Sequence, residues 1–477
     1  MIRKAMKVDI DPADTSKRII SIDYPLKPGV DLSLQYTDAN SNVVMARKSS
    51  QALQKRLQKL NLLEEFHEQV QDGLNKGHMI ELSQETREEL DGFPKSYQLI
   101  NFVQKLSSAT TKLRLVTNSS VMRIGGSLND NLCMGVNTLN SSLSVLNRFC
   151  AHEYAILTDL SQAYRSVRTG PATNSLRRFF WFRQPGDEKS LTEYCMSRMQ
   201  FGDRPAANIL SEALHVISND DCISNDCRDF IQNSYYVDDG GQSSNSKHKI
   251  DAIASELPGI FAKYNFGVKH VLKSYESNAG ATNTSNSEIV FGLVWDFVKD
   301  ELSPVLNIHL QKKKRGLYVD EELTYDLIEK TNITLRMLLR ICGSLFDLSG
   351  RFLGPLIFKT RLIYSQAAKL NCGWDVGLKE IDSNVYSRIV NVLHDIVQVR
   401  STVQPMPRSW TAHNSTITGF IFPSDGSETG YSAVGYARSM SAETGFATTN
   451  IGSRCKLSAL TVPDNELAGA VSNRHSQ

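Results

Sequence analysis

The stretch that decides the fold reads Tyr-Tyr-Val-Asp-Asp-Gly-Gly at residues 235–241. Aromatic and apolar residues that lead into an acidic pair and two glycines predict a β-hairpin over residues 234–242, with its tip at Asp238-Asp239-Gly240. An Asp-Gly pair is most often an ordinary tight turn. Taken alone, the stretch fits a turn as well as it fits two catalytic carboxylates. Other parts of the sequence are needed to distinguish the two interpretations.

A second acidic position stands 79 residues earlier (238 − 159). Residues 156–160 predict an apolar strand that ends at Asp159, and residues 161–167 predict the start of a helix. Alone, Asp159 is more simply a turn or N-cap residue. Two strand-terminal carboxylate sites, however, are what a polymerase needs to hold two magnesium ions against a nucleoside triphosphate.

Two further residues strengthen this interpretation. Tyr164, five residues after Asp159, is expected to project near the same pocket, where its ring would leave no room for a 2′-hydroxyl and would favour deoxynucleotides. Phe201-Gly202 stands between the two acidic sites, and a glycine there lets the backbone approach a base pair closely. The ordered set favours catalysis over a simple turn.

The composition fits a soluble globular protein. The 477 residues, 41% of them hydrophobic, are enough for about three domains. The eight cysteines form no Cys-x-x-Cys pair, so neither a zinc site nor a disulfide framework is indicated. Neither a signal peptide nor an apolar run of about 18 residues is found. We therefore expect no membrane partner and a cytoplasmic location, with a virus-like particle as an alternative.

The charge is nearly balanced, at a formal net +2, and does not by itself predict a nucleic-acid-binding protein. Two basic clusters stand out, at residues 47–59 and at residues 312–315. Each can be a solvated face or a phosphate contact, and the sequence leaves both interpretations open.

Hydrophobic periodicity predicts several further elements. They are an extended lead-in at residues 1–42, one helical stripe over residues 46–74 that Asn75-Lys76-Gly77 ends, a helix after Pro205, a second hairpin over residues 289–295, a mainly helical region over residues 323–370, a linker at Pro405 and Pro407, and a new strand pattern from residue 418.

With these motifs in order, the chain resembles the reverse transcriptases of long-terminal-repeat retroelements, most closely those of the Pao/BEL group. The resemblance runs from near Phe66 to the C-terminus, roughly four-fifths of the chain. Asp159 with Tyr164, Phe201-Gly202 and residues 236–239 are similar to the three successive catalytic motifs of that family.

Four other segments are similar to parts of the same family. They are residues 111–116, a fingers strand whose Lys112 and Arg114 would hold the triphosphate; Ser-Leu-Asn-Asp-Asn-Leu at residues 127–132, followed by Gly135, a loop typical of the Pao/BEL group; residues 291–296, the hairpin that grips the primer through Gly292 and Trp295; and residues 345–350 with Gly354-Pro355, which enter the thumb and connection.

The resemblance implies a two-metal mechanism. Asp159 and Asp238 would bridge two Mg²⁺ ions, with Mn²⁺ as an alternative, and the carbonyl of Leu160 would complete one ligand shell. Asp239 would support the site rather than bridge both metals. The implied partners are an RNA or DNA template, a DNA primer, dNTPs and the remainder of a pol polyprotein.

The chain departs from the family pattern at three places. Asp203-Arg204-Pro205 follows the glycine motif where small residues usually come first, and Asn118 stands where an aspartate usually follows the fingers strand. A lysine that protonates pyrophosphate is expected near the fourth motif; Lys273 is the nearest candidate but is slightly out of register. These departures bear on rate and fidelity more than on the type of reaction.

The C-terminal segment resembles the start of a ribonuclease H domain. Asp425, expected to end a strand, and Glu466, expected on a helix, are similar to its first two metal ligands. The later carboxylates of that fold would lie beyond Gln477, so we expect no ribonuclease H activity from this chain alone.

The predicted fold class is α+β: a right-handed polymerase fold of fingers, palm and thumb, followed by a connection and a truncated ribonuclease H-like α/β domain. The predicted domains are an N-terminal extension at 1–75, fingers and palm at 76–305, thumb and connection at 306–410, and the ribonuclease H-like part at 411–477. The predicted function is RNA- and DNA-directed DNA synthesis. The alternative is an inactive descendant that binds nucleic acid or a partner through the polymerase cleft.

Overall fold

A computed structural model of the chain describes residues 2–104, 113–276, 286–314, 317–411, 414–442 and 445–458. Within these ranges the helices are α1 (Ile2–Ala5), α2 (Leu32–Gln35), α3 (Val43–Lys59), α4 (Leu63–Asn75), α5 (Gln84–Glu89), α6 (Leu128–Asn131), α7 (Ser142–Cys150), α8 (Ala163–Ser166), α9 (Pro171–Ser175), α10 (Ala206–Ser218), α11 (Asn225–Asn233), α12 (Lys247–Lys263), α13 (Tyr325–Lys330), α14 (Leu335–Ser344), α15 (Gly354–Ala368) and α16 (Ser383–Thr402), with 3₁₀ turns at Asp38–Asn40 and Glu188–Ser190.

The strands are β1 (Lys7–Asp11), β2 (Asp14–Ile22), β3 (Met79–Glu81), β4 (Leu99–Gln104), β5 (Leu113–Asn118), β6 (Tyr154–Ser161), β7 (Arg168–Thr169), β8 (Arg178–Phe182), β9 (Leu191–Met196), β10 (Tyr235–Tyr236), β11 (Asp239–Ser244), β12 (Gly267–Lys273), β13 (Ser287–Val290), β14 (Leu293–Asp296), β15 (Glu301–Pro304), β16 (His309–Lys314), β17 (Leu317–Glu322), β18 (Met406–Pro407), β19 (Ser415–Ile421), β20 (Ser424–Ser427), β21 (Gly430–Ser441) and β22 (Gly445–Leu457).

The chain separates into two compact units, and it passes between them after residue 140 and within β6, β11, α12 and β12. The first unit comprises residues 1–140, 159–240 and 252–269, and the second comprises residues 141–158, 241–251 and 270–477. These units cut across the predicted fingers and palm segment, which contributes residues to both. The bounds of the four predicted segments stay predictions.

The first unit has its main core between α3, α4 and the β3-β9-β8 sheet. Phe66 of α4 packs edge to face against Trp181 of β8, with ring centroids 4.7 Å apart. The prediction of one continuous helical stripe over residues 46–74 was wrong, because Asn61 adopts a positive φ of 56° and separates α3 from α4. Gly77, with φ of 63°, follows the end of α4 as predicted.

The basic cluster at residues 47–59 is partly structural. The guanidinium of Arg47 lies 4.6 Å from the Phe180 ring centroid, and that of Arg56 lies 4.7 Å from the Phe102 ring centroid. Lys55 pairs with Glu188 at 3.6 Å. Stacked on aromatic rings, the two arginines serve packing within the unit.

The hairpin predicted from residues 234–242 is present as β10 and β11, but its tip was predicted one residue too late. Tyr235 pairs with Gly240 and Tyr236 with Asp239, so the turn consists of Val237 and Asp238. Gly240 and Gly241 belong to the strand. At Gly241 an added Cβ would lie 3.2 Å from the Phe291 ring and 3.3 Å from the Phe149 ring, which explains the glycine by packing rather than by the turn.

In the second unit, β13 and β14 form the predicted second hairpin, and Phe291 and Gly292 make its turn with φ of 48° and 81°. The sheet continues through β15 to β18. The linker prediction at Pro405 and Pro407 was therefore wrong, because Met406 and Pro407 pair with Leu302 and Glu301. The predicted helical region forms α13, α14 and α15, which share a core with α16.

The end of the described chain is a β-sheet of order β19-β21-β20, with β22 also paired to β21. The expectation that Asp425 ends a strand was wrong. The strand before it, β19, stops at Ile421, and Asp425 lies inside the short strand β20, opposite Ser432. Among the described residues, none of the helices is both long enough and apolar enough to cross a membrane.

Candidate active site

The backbone of the first unit places Asp159 and Asp238 side by side. Asp159 lies near the end of β6, although the strand continues past it to Ser161. The amide of Leu160, the next residue, donates a hydrogen bond of 3.0 Å to the backbone carbonyl of Asp238. In the sheet order β10-β11-β6-β12, the hairpin that carries Asp238 is the neighbour of β6. The residue after Asp159 is thus hydrogen-bonded to the backbone of Asp238, although the two acidic residues are 79 positions apart (238 − 159).

The electrostatics of this pair show that the two carboxylates interact. Burial raises the pKa of Asp238 above its usual value, and the negative charge of Asp159 raises it further, while Lys269 acts in the opposite direction. A like charge disfavours ionisation only when it is close. A nearby positive charge therefore favours the ionised form of the half-buried Asp238 carboxylate.

Lys269 supplies such a cation to Asp159. Its ammonium donates a hydrogen bond of 2.8 Å to a carboxylate oxygen of Asp159. Lys269 lies on β12, the other neighbour of β6, and Gly267 of the same strand faces Ser161, with 3.4 Å between an ideal glycine Cβ and the serine Cβ. The sequence analysis missed this residue, since its position depends on the register between two distant strands.

Lys273, the lysine assigned to pyrophosphate from the sequence, has other partners. Its ammonium contacts Asp251 at 2.8 Å and Glu276 at 2.5 Å. Four residues of strand separate it from Lys269, about 13 Å at the usual rise per residue. Lys269, and not Lys273, is thus the lysine that contacts Asp159, and the predicted role of Lys273 toward pyrophosphate stays a prediction.

Tyr164 and Phe201 meet beside this acidic pair. Their ring centroids are 5.9 Å apart in an edge-to-face arrangement. The pKa of Tyr164 rises to about 12 because of burial and because of its proximity to Asp238 and Tyr236. Phe201 is 79% exposed. The structure thus gathers Asp159, Tyr164, Phe201 and Asp238, four residues that the sequence assigned to one pocket.

Gly202 forms a turn that only a residue without a side chain adopts easily. Its φ is 94°, and no atom lies within 4 Å of the position that a Cβ would occupy. The space beside it is open, as a close approach of a ligand to the backbone requires.

The departure from the family pattern at Asp203 has a structural cause. Asp203 is buried, and its carboxylate accepts hydrogen bonds from Arg177 at 3.1 Å and from the Tyr24 hydroxyl at 2.7 Å. Ser119 donates a further bond to it. The acidic residue that follows Gly202 therefore anchors the glycine turn in the interior instead of facing the pocket.

Val237, the first residue of the hairpin turn, adopts a positive φ of 61°. A β-branched residue in the left-handed region is strained, and such strain is often found at functional sites. The side-chain amide of Asn140 donates 2.9 Å bonds to the carbonyls of Gln232 and Tyr235 and holds the start of this hairpin. The turn that presents Asp238 is thus held in a conformation that its own sequence disfavours.

The other predicted site residues are not shown to join this group. Arg114 is exposed on β5, opposite Val103. Lys112 and Glu466 lie outside the described residues. Asp239 begins β11 opposite Tyr236, and its supporting role stays a prediction. Asp425 is exposed on its strand in the second unit.

The primer-grip prediction for Trp295 was wrong. Trp295 is fully buried, packs edge to face on Phe149 at 5.0 Å, and donates its indole N–H to Asp300 at 2.9 Å. Gly292 is the turn residue of the same hairpin, where a Cβ would lie 2.5 Å from the Phe346 ring. Trp295 is a core residue of the second unit, and a nucleic acid cannot reach it without unfolding that core.

Comparison with solved structures identifies the architecture. The chain is similar to a foamy viral protease-reverse transcriptase solved in complex with an RNA/DNA hybrid, with a TM-score of 0.52, 13% identity, and coverage of 88% of this chain and 46% of that chain. The chain has the fold of a reverse transcriptase. A second foamy viral structure, in complex with double-stranded DNA, gives a TM-score of 0.49 and 14% identity, with coverage of 85% of this chain and 58% of that chain.

The C-terminal part matches a protein family. Residues 334–475 match the Pao retrotransposon-like RNaseH-like domain. This match confirms the predicted resemblance to a Pao/BEL-type reverse transcriptase followed by a ribonuclease H-like domain, and together with the structural similarity it confirms the predicted fold class. The chain spans about half the length of the foamy viral chains that it matches. No curated protein sequence matches it.

Proposed function

We propose that the chain is an RNA- and DNA-directed DNA polymerase of a retroelement, which transfers a nucleotide from a dNTP to a primer 3′-hydroxyl. The observation that carries the proposal is the pairing of Asp159 and Asp238 beside the Tyr164 ring, in a chain with a reverse transcriptase fold. The foamy viral structure with this fold holds an RNA/DNA hybrid. We propose a template–primer duplex of that kind as the partner, in the cytoplasm or in a virus-like particle.

The residues present fit divalent cations. Carboxylate and carbonyl oxygens are the donors that Mg²⁺ prefers. Burial and the negative charge of Asp159 raise the pKa of Asp238, so added positive charge favours the ionised form of Asp238. Among the described residues, however, no group of three or more histidine, cysteine or acidic side chains is gathered around one point. Asp159, Asp238 and the carbonyl of Leu160 are therefore the ligands that we propose.

The chemistry that two bound Mg²⁺ ions supply is activation of the primer 3′-hydroxyl and neutralisation of the leaving pyrophosphate. The chain's own side chains do the remaining work. Tyr164 limits the space beside the sugar, and the exposed Phe201 and Gly202 provide a surface for the new base pair. Lys269 holds Asp159 in place and keeps its charge partly compensated.

Primer extension tests the proposal directly. The purified chain is incubated with a poly(rA) template, an oligo(dT) primer, Mg²⁺ and dTTP, and the expected result is elongated primer. No extension with Mg²⁺ or Mn²⁺, combined with tight binding of the hybrid, would reject the polymerase and support the inactive binding protein.

Substituting Tyr164 tests the assignment of a sugar gate. Tyr164→Ala removes the ring that lies near Asp238 and Phe201, so UTP should be incorporated more readily. We expect the preference for dTTP over UTP to fall about 10- to 100-fold, the range that a change of one group in a pocket usually produces. The measurement is the ratio of kcat/KM values for the two nucleotides.

Tyr164→Phe is the matched control, because it keeps the ring and should keep the preference. If Tyr164→Ala discriminated as well as the unmodified chain, the ring would not be the gate, and Phe201 would be tested next.

Substituting Lys269 tests its role as a built-in cation. Lys269→Met removes an ammonium that competes with metal for an Asp159 oxygen. We expect half-maximal activity at an Mg²⁺ concentration about two- to fivefold lower, the equivalent of a weak exposed ion pair. An Mg²⁺ titration of primer extension measures this shift.

The comparison variant is Lys273→Met. The ammonium of Lys273 pairs with Asp251 and Glu276, so its removal should leave the Mg²⁺ dependence of activity unchanged. A loss of activity in Lys273→Met with none in Lys269→Met would support the role toward pyrophosphate that the sequence predicted for Lys273.

A further inference from the structure

We propose that Asn129 is a positioning residue that fixes the Phe201-Gly202 turn for binding of the incoming nucleotide. This inference rests on the proposed function, since it assigns a role within the same site. It arises from the Ser-Leu-Asn-Asp-Asn-Leu segment at residues 127–132, to which neither the predicted mechanism nor the geometry described so far gives a role.

Most polar side chains of this segment serve its own short helix, α6. Ser127 and Asp130 form a capping box, in which the Ser127 hydroxyl accepts from the Asp130 amide at 3.2 Å and the Asp130 carboxylate accepts from the Ser127 amide at 3.0 Å. Asn131 points inward and donates to the carbonyls of Ser127 and Gly125, each at 3.0 Å. These contacts give the segment a fixed shape.

Asn129 differs, because its side chain reaches the glycine turn. Its amide NH₂ donates a 2.9 Å bond to the carbonyl of Gly202, and its amide oxygen accepts a 2.9 Å bond from the backbone N–H of Arg204. One side chain thus binds the backbone on both sides of Asp203, as a paired strand would. The donor and acceptor of a single amide group are both used, which fixes its orientation.

Asn129 is itself held in place. Its backbone amide donates to the carbonyl of Ser119 at 3.0 Å, and its side chain donates to the Ser120 hydroxyl at 3.0 Å. Ser119 also donates to the buried Asp203 carboxylate. The turn is therefore held by hydrogen bonds on two sides: those of the buried Asp203 carboxylate and those of the Asn129 side chain.

The hydrogen bonds of Asn129 also affect Phe201, the residue immediately before Gly202. Gly202, at a φ of 94°, has no side chain to restrain it, so its backbone depends on neighbouring groups for a single conformation. With the Gly202 carbonyl held by Asn129, the exposed Phe201 ring is kept against Tyr164 at 5.9 Å. Without that bond, the surface for the new base pair loses its fixed orientation, and binding of nucleotide has to order it.

The test compares Asn129→Ala and Asn129→Asp with the unmodified chain in primer extension. Alanine removes both turn contacts. Aspartate keeps the acceptor for Arg204 but sets a carboxylate against the Gly202 carbonyl. For both variants we expect KM for dTTP to rise about tenfold, while KM for the template–primer stays within twofold. Asn137→Ala, an exposed asparagine in the loop after α6, is the matched control and should leave both values unchanged.

Two further measurements separate positioning from a general loss of structure. In a double-mutant cycle with Phe201→Ala, the two effects should not add, because Asn129 acts through that turn. Hydrogen–deuterium exchange of residues 199–204, measured without nucleotide, should be faster in Asn129→Ala. A fall in kcat together with equal rises in both KM values would overturn the proposal. So would unchanged hydrogen–deuterium exchange with an unchanged KM for dTTP. If the unmodified chain extends no primer but exchange still responds to Asn129, the proposed function fails while the positioning contact stands.

Discussion

Asp238→Asn is expected to abolish DNA synthesis and at the same time to make the folded protein more stable. The substitution keeps the shape of the side chain and removes the charge that is proposed to hold the metal ions. We expect incorporation of dTTP to fall at least about a thousandfold, because the loss of a single group that stabilises transition-state charge already costs about 10²- to 10³-fold. Primer extension with the purified variant measures this effect.

The stability effect has the opposite sign because the pKa of Asp238 is raised in the folded chain, first by burial and then by Asp159. A folded state that holds a carboxyl at a raised pKa favours its protonated form. Its stability therefore falls as the pH rises from the value of an unfolded aspartate, about 3.9, through the raised value. The asparagine amide of Asp238→Asn does not ionise, so the variant has no such loss of stability as the pH rises. Without metal, Asp238→Asn should unfold at a higher temperature than the unmodified chain at pH 7, and the difference should vanish near pH 3.

Added Mg²⁺ should reverse this order. Ions that bind only the folded form stabilise it, so the unmodified chain should gain stability with Mg²⁺ while Asp238→Asn gains less. Asp229→Asn, at a half-buried position of α11 where the carboxylate accepts a bond from Asn233, is the matched control and should change neither activity nor Mg²⁺ response. If Asp238→Asn still extended primers at the normal rate, Asp238 would not be a catalytic residue.

The parts of the site that the sequence predicted are those with a local pattern. An apolar strand with an acidic residue near its end marks Asp159, and an aromatic pair ahead of acidic residues marks Asp238. Each pattern can be read within about ten residues, and the family order of the motifs then places them in one pocket. The fold class was predicted for the same reason, since the order of motifs carries it.

The parts that were missed depend on pairing between distant segments. Lys269 contacts Asp159 because β12 is aligned with β6 so that Gly267 faces Ser161, and a strand's own sequence does not contain that register. Asn129 meets Gly202 across 73 residues, and no periodicity predicts that contact. The turn at Val237 was misplaced because glycine favours turns, whereas Gly240 and Gly241 lie inside β11 and Gly241 is explained by packing against Phe291 and Phe149.

The error at Trp295 was avoidable. Phe291, Leu293, Trp295 and Phe297 stand at every second position, the period that in a strand places side chains on one face. This period of large apolar residues predicts burial, and all four are buried, although only Leu293 and Trp295 lie within β14. Family resemblance gave the hairpin its correct place in the fold, but alternation was the better guide to which side chains are available to a ligand.

Arg177→Met is expected to destabilise the first unit strongly while leaving the proposed catalytic carboxylates untouched. The Arg177 side chain has no exposed surface, and its guanidinium pairs with the equally buried Asp203 at 3.1 Å. It also donates to the carbonyls of Arg198 at 2.9 Å and Met196 at 3.2 Å. Removing one partner of a buried ion pair leaves the other charge uncompensated, which costs about 3–5 kcal/mol.

A loss of this size should lower the thermal midpoint of the unit by about 10 °C, measured by thermal unfolding. Arg183→Met is the matched control, because the exposed Arg183 pairs with the partly exposed Glu81 at the end of β3, and its loss should cost less than about 1 kcal/mol. The double variant Arg177→Met/Asp203→Asn should recover part of the lost stability, because it removes the stranded charge as well. If the double variant is less stable than Arg177→Met alone, the Asp203 charge is not what makes Arg177 necessary, and the departure from the family's small residues after Gly202 needs another cause.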